Sequence, residues 1–292
     1  MTATPENPSP LAQAHNFEEM IATIAKTFAV AHERDSDEHL AQALVFNAGR
    51  LAWRMREQGI SVDTKKNAAD VVTEADRAAE KFIATVLEIV RPEDGVYGEE
   101  GTQRHSRSGK TWVIDPVDGT YNFVSGSDYW CSAIALISGS PDNPEKLHFG
   151  AVHRPAMGYT WFGGPDIPTT RDGKKLPALT PTPPEKIALS TYLHPPLLNT
   201  HTPRDLWLFI ASQFLSWRML GSGSVDLASV ADGSLGAYLQ HSCPSWDWLP
   251  GKALVLGAGG KAIQLDAAGV TWSLAGNKKT VDTIAALIKE NS

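Results

Sequence analysis

Cysteine is nearly missing from this chain: Cys131 and Cys243 are its only two. Neither a disulfide framework nor a thiolate metal site is implied, and both read as core or near-site thiols. Long apolar runs are missing too. Nowhere do eighteen apolar residues follow one another, and the opening Met1-Thr-Ala-Thr-Pro-Glu-Asn-Pro-Ser-Pro10 has no basic or apolar stretch. The expectation is a cytoplasmic protein without a membrane span. Positive charge is also short, with 26 Lys and Arg against 33 Asp and Glu, a net charge of -7 and no basic run. That balance argues against nucleic acid or a membrane surface as partner, and an anionic substrate would need cations to meet it. No internal repeat is found. What is present is 42% hydrophobic content over 292 residues, enough for one large core or two modest ones.

The most informative segment is Thr111-Trp112-Val113-Ile114-Asp115-Pro116-Val117-Asp118-Gly119-Thr120. Trp112, Val113 and Ile114 read as a core strand, and the Asp-Pro and Asp-Gly dipeptides read as turns, so the strand end presents two carboxylates on a tight loop. Carboxylates that close repel, and divalent cations between them keep both ionised. A plain surface turn built of the same residue types is the alternative. Upstream, Tyr97-Gly98-Glu99-Glu100-Gly101 holds an acidic pair between glycines and can bring a Glu oxygen to the same cations. Downstream, Pro244-Ser245-Trp246-Asp247 opens a helix that runs to Gly259-Gly260, with Asp247 expected as its N-cap and Pro250 in its first turn. Its alternative is a cap and nothing more. Thr73 and Asp76 read as a capping box, and Gly221-Ser222-Gly223-Ser224 as a turn into a helix that lacks the Lys-Ser/Thr ending of a P-loop.

Taken in order, four segments resemble the signature of the inositol monophosphatase family of magnesium-dependent phosphatases. They are Asp70-Val-Val-Thr-Glu-Ala-Asp76, Glu99-Glu100, Asp115-Pro-Val-Asp-Gly-Thr120 continued by Asn122-Phe123, and Trp246-Asp247 with Gly259-Gly260. The match extends over roughly residues 36 to 290. The resemblance implies a layered αβαβα sugar-phosphatase-type fold with an antiparallel N-terminal sheet and a mixed C-terminal sheet. It implies two or three Mg²⁺ per site, one held by Glu99, Asp115 and the Val117 carbonyl, a second by Asp115, Asp118 and Asp247. Asp76 and Thr120 would orient and deprotonate the attacking water. The Gly119 and Thr120 amides would cradle the phosphate, and Gly221, Ser222, Gly223 and Gln240 would meet the rest of the substrate. Lithium sensitivity and a homodimer also follow from the resemblance.

Three positions depart from the family pattern. Gln240 stands where a Glu is typical, Gly236 where an acid is common, and Gly257 in place of the Glu usual before Ala-Gly-Gly. These put the preference for inositol monophosphate in doubt, with histidinol phosphate, fructose 1,6-bisphosphate and 3′-phosphoadenosine phosphate as the alternatives. Two other classes are weighed. A haloacid-dehalogenase phosphatase separates its two aspartates by one residue, not two, and its later Gly-Asp pair is missing. A non-catalytic regulatory protein on the same fold is permitted by the three departures.

Organisation along the chain follows from periodicity. An extension over 1–35 carries one helix, starting at a capping box Asn16-Phe17-Glu18-Glu19 after an irregular head of about ten residues. An α+β metal-binding half spans 36–180, with helices from Asp35-Ser36 and over 73–90, and strands near 111–115, 130–138, 147–154 and 158–162. An α/β half spans 181–292 and carries Asp247. The boundary is expected in the Pro, Thr and Gly-rich stretch from Gly163 to Pro184, and the last helix over Val281 to Lys289.

Overall fold

The computed structural model describes residues 10–58, 62–64 and 71–291. The irregular head and Asp70 of the sequence motif lie outside them. Helices α1 (Pro10–His32), α2 (Asp37–Gln58) and α3 (Glu74–Val90) are followed by the strands of a large sheet, β1 (Val62–Thr64) and β2 (Val71–Thr73) forming a separate hairpin before α3. The large sheet contains β3 (Gly95–Gly98), β4 (Gln103–Arg104), β5 (Lys110–Asp118), β6 (Cys131–Ser140), β7 (Asn143–Arg154), β8 (Tyr159–Gly164), β9 (Ile167–Arg171) and β10 (Lys174–Lys175). Its order is β10-β9-β8-β7-β6-β5-β3-β4, with a short helix α4 (Thr120–Val124) directly after β5. The second sheet comprises β11 (Ala188–Tyr192), β12 (Ser216–Arg218), β13 (Ala237–His241), β14 (Lys261–Ala267) and β15 (Val270–Gly276), in the order β12-β11-β13-β15-β14. Helices α5 (His201–Ala211), α6 (Gly223–Ala231), α7 (Ser245–Gly257) and α8 (Lys278–Glu290) complete the chain.

Alternation along the strands builds five layers. Trp112, Ile114, Ile134, Leu136 and Phe149 point to one face of the large sheet, where Ile21, Ala25 and Ala29 of α1, Leu40 and Leu44 of α2, and Phe82 and Ile83 of α3 bury them. Val113, Ala133, Ala135 and Val152 point to the other face and meet α6 and α7, which also cover Tyr238 and Ala275 of the second sheet. The far face of that sheet, with Leu189, Leu239, Trp272 and Leu274, is closed by α5 and α8. The order helices, sheet, helices, sheet, helices is the αβαβα layering that the family resemblance implies.

Several details differ from the sequence reading. The N-terminal sheet is not wholly antiparallel, because β3 pairs β5 in parallel while its other ladders are antiparallel. The short β4 hairpin occupies the outer edge, and the chain crosses back to enter β5 beside β3 in the same direction. Asp-Pro at 115–116 is not a turn: β5 runs on to Asp118, with its register to β6 shifting between Asp115 and Asp118. Pro116 has no N–H for a ladder, and a strand irregularity absorbs it. Asn16 lies inside α1, which starts at Pro10, a residue suited to the first helical turn. Part of the expected linker, from Gly163 to Lys175, belongs to strands of the large sheet.

One close approach fixes the middle layer. Gly150 of β7 faces the Pro250 carbonyl of α7 with no room for a Cβ atom. Gly150→Ala is therefore expected to cost about 1–3 kcal/mol of stability, the usual range for overpacking, measured by urea unfolding. Because α7 carries Asp247, the same substitution should weaken cation-dependent stabilisation as well.

Candidate active site

Asp115 and Asp118 lie at the C-terminal end of β5, and Asp247 lies in the first turn of α7. Asp247 is the third helical residue, not the N-cap. Pro244 occupies the cap position with φ -58°, and the Trp248 N–H closes the first turn on its carbonyl at 3.1 Å. Middle-layer packing brings these elements together, and one carboxylate oxygen from each of the three residues falls within 4.8 Å of the others. Both Asp115 oxygens are buried and receive no hydrogen bond. Burial raises the Asp115 carboxyl well above the usual range, and the charges of Glu99, Asp118 and Asp247 raise it further. Asp247 is pushed up to about 7 by burial and then by Asp118. Burial raises Asp118 too, against the opposing hydrogen bonds from Ser224, Ser222 and Gly223. A set of carboxylate oxygens that repel one another fits a hard divalent cation.

The Asp118 carboxylate accepts the Ser224 N–H at the start of α6. This brings the Gly221–Ser224 turn against the loop after β5. Gly119 has φ +95°, and a Cβ there would lie 3.0 Å from the Gly221 carbonyl oxygen, so both backbone conformation and space call for glycine. Asn122 clamps the junction, its Nδ2 donating to the carbonyls of Leu220 (2.7 Å), Gly221 (3.2 Å) and Tyr129 (2.8 Å). A second tie is the Tyr129 hydroxyl, which donates to the buried Asp226 of α6 at 2.6 Å. Apart from the Asn-Phe continuation of the motif, neither clamp is legible in the sequence. Each depends on a partner about a hundred positions away.

Thr73 and Asp76 form the expected capping box at the start of α3. The free side of the Asp76 carboxylate faces the site, where the Thr120 hydroxyl lies 3.1 Å from Asp76 Oδ1 and 3.1 Å from the Val117 carbonyl. Burial pushes Asp76 up to about 6, against its hydrogen bond with Thr73. Glu99 follows β3, and its N–H donates to the Ile114 carbonyl at 3.2 Å. It stands outside the tight trio, and its charge acts on Asp115. Gln240 on β13 is half-buried and its Oε1 accepts the Tyr238 hydroxyl at 2.9 Å. That hydroxyl would lie 3.3 Å from a Cβ on Gly223, so Gln240 and the α6 start border the same space. Gly236 and Gly257 do not behave as substrate positions: Gly236 is pressed onto the Ile187 side chain, and a Cβ on Gly257 would lie 2.5 Å from the Ile167 carbonyl oxygen.

The five-layer fold brings a buried acidic cluster to the junction of the large sheet and the middle helices. The model of the inositol monophosphatase family matches residues 33–290, and the chain belongs to that family of metal-dependent phosphatases. It is 27% identical over 254 residues to an inositol-1-monophosphatase of Bacillus subtilis, covering 85% of this chain and 94% of that one. It is 31% identical over 235 residues to a histidinol-phosphatase of Mycobacterium tuberculosis, with 79% and 88% covered. Among solved structures, the extragenic suppressor protein suhB of Bartonella henselae superposes with a TM-score of 0.76 at 24% identity, covering 87% of this chain and 98% of that one.

The crowded carboxylates carry a stability signature. Asp247 and Asp226 are raised to about 7 and Asp76 to about 6. The native state then holds protons that the unfolded chain releases near pH 4, so its stability falls as pH rises toward 7. His153, lowered to about 4 by burial, acts the other way below pH 6.5, as do His148, His194 and His241, which burial also lowers; these four are outnumbered by six raised acids, since burial raises Asp115, Asp118 and Glu80 as well. With chelator present, Tm should be higher at pH 5.5 than at pH 8, and Mg²⁺ should flatten the difference. Asp115→Asn should raise the chelated Tm at pH 8, because it removes one of the repelling charges. A chelated Tm that does not change with pH would contradict the picture of unneutralised carboxylates.

Proposed function

We propose that the protein hydrolyses a small phosphate monoester with Mg²⁺ in the Asp115, Asp118 and Asp247 crevice, inositol monophosphate being the first substrate to test. The carrying observation is the Asp115 carboxylate, buried with both oxygens bare among like charges. Glu99, Asp115 and the Val117 carbonyl would hold one ion, and Asp115, Asp118 and Asp247 another. Bound Mg²⁺ supplies charge neutralisation for the phosphate and Lewis acidity toward water. The protein's own part is positional and protolytic. The Thr120 hydroxyl orients the attacking water and passes a proton toward Asp76, whose carboxylate is 3.1 Å away and raised to about 6, near working pH. The Gly119 and Thr120 amides face the phosphate. Gly221, Ser222, Gly223 and Gln240 border the leaving alcohol.

A second substrate reading, histidinol phosphate, is favoured by Gln240 in place of a carboxylate and by the 31% identity to a histidinol-phosphatase. The Gln240 amide can donate as well as accept, whereas a Glu only accepts. Lithium inhibition, a homodimer and a cytoplasmic setting complete the proposal.

A Mg²⁺-dependent assay over about a dozen phosphate monoesters tests the reaction and ranks the substrates. Asp118→Asn should abolish turnover without unfolding the protein; near wild-type turnover at saturating Mg²⁺ would remove Asp118 from the site. Thr120→Ala and Asp76→Asn should each lower kcat about 10²-fold or more, with smaller changes in KM. The double variant should be little worse than either single one, and strict additivity would mean that the two do not act together. Gln240→Glu should move the ratio of kcat/KM for inositol 1-phosphate over histidinol phosphate several-fold upward, a gain of about 1 kcal/mol.

A further inference from the structure

Glu80 is an acid that the reaction as drawn does not use. It is 2% exposed and lies on α3 four residues after Asp76, on the same buried face. Its side chain reaches under the turn that follows β3. Oε2 accepts the Glu100 N–H and Oε1 the Thr102 N–H, both at 2.8 Å. Gly98 has no room for a Cβ because the Glu80 carboxylate occupies that space. The turn is closed on its other side by the Gly98 N–H to the Thr102 carbonyl (2.8 Å) and by Glu99 N–H to Ile114 in β5 (3.2 Å). The Glu99 side chain is thus carried on a backbone loop whose shape is set by one buried carboxylate, and its charge is felt by Asp115 more than any other.

We propose that Glu80 is a positioning residue for the cation site, which fixes the Gly98–Thr102 turn so that Glu99 stands beside Asp115. The inference rests on the reading of Glu99 and Asp115 as cation ligands. One helix then serves both halves of the chemistry: its first turn holds Asp76 against Thr120, and its second holds the loop of Glu99. A carboxylate suits this task because each of its two oxygens accepts one amide N–H in a charge-assisted bond. An amide side chain accepts only one and turns a donor toward the other.

The test is a calorimetric titration of Mg²⁺ into the metal-free full-length protein, wild type beside Glu80→Gln, with Tm in chelator measured on both. Glu80→Gln should weaken Mg²⁺ binding 10–100-fold, the usual scale for a residue that orients a metal ligand. The Mg²⁺ needed for half-maximal activity should rise in step, while kcat at saturating Mg²⁺ should fall much less. Gly98→Ala disturbs the same contact from the turn side and should give the same loss of affinity, which keeps the test open should Glu80→Gln not fold. Wild-type Mg²⁺ affinity in a folded Glu80→Gln protein, whatever its Tm, would reduce Glu80 to a structural residue and overturn the proposal. A wild-type protein that binds no Mg²⁺ would instead overturn the metal-site reading beneath it.

Discussion

Three carboxylates crowded into one cluster impose a repulsion that the surrounding structure has to hold. With their oxygens within 4.8 Å of one another, each ionised pair repels by roughly 3 kcal/mol at the effective dielectric of a protein interior. Three such pairs rival the whole stability of a domain, about 5–15 kcal/mol. The site therefore needs protons or cations, and near neutral pH a cation is the solution that leaves every carboxylate ionised. The proposed function would follow from this constraint, because cations drawn in by the carboxylates would in turn attract a phosphate.

Holding like charges together requires rigid supports, and the middle layer supplies them. α7 is pinned by Gly150 on one side and by Gly251 against Leu227 of α6 on the other, so Asp247 has little freedom to retreat from Asp115. The Ser224 N–H at the start of α6 anchors Asp118, where the helix dipole favours the negative charge. Asn122 and the Tyr129–Asp226 hydrogen bond then fasten the loop after β5 to that same helix. α1 precedes the span matched by the family model, which begins at residue 33. It covers the outer side of α3 through Ile21, Ala25 and the Phe28–Phe82 ring pair, and so stiffens the helix that carries Asp76 and Glu80.

The parts of the site readable in the sequence are those whose chemistry is local. Asp115 and Asp118 could be paired on spacing alone, and the Thr73–Asp76 capping box on residue types, since both depend on neighbours within three positions. The helix-start context singles out Asp247 but not its place in the first turn, because Pro244 takes the cap and the two alternatives differ only in backbone angles. The strands were legible from their apolar, β-branched runs. The bulge at Asp-Pro was not, because the same dipeptide serves in turns and in strand irregularities. Glu80 was invisible for a different reason: in a helical pattern it counts as one more polar residue, and its partners, two backbone amides some twenty positions later, leave no mark in residue identity.

The same distinction narrows the question of specificity. Of the three departures from the family pattern, Gly236 and Gly257 sit where a side chain would collide with Ile187 or with the turn between β8 and β9. They are packing residues in this chain. An acid at either would first have to displace its neighbours, so their lack of charge says little about the substrate. Gln240 is different, being half-exposed, tied to the Tyr238 hydroxyl and beside the α6 start. That bond occupies the Gln240 oxygen and leaves its amide N–H groups to donate. A Glu at this position could only accept, so the amide extends the choice to substrate groups that only accept, while a ring hydroxyl can still be met. Under the proposed function, the alcohol half of the substrate would meet this one neutral amide beside the glycine-rich helix start, and the phosphate half would meet the cations that the three aspartates hold.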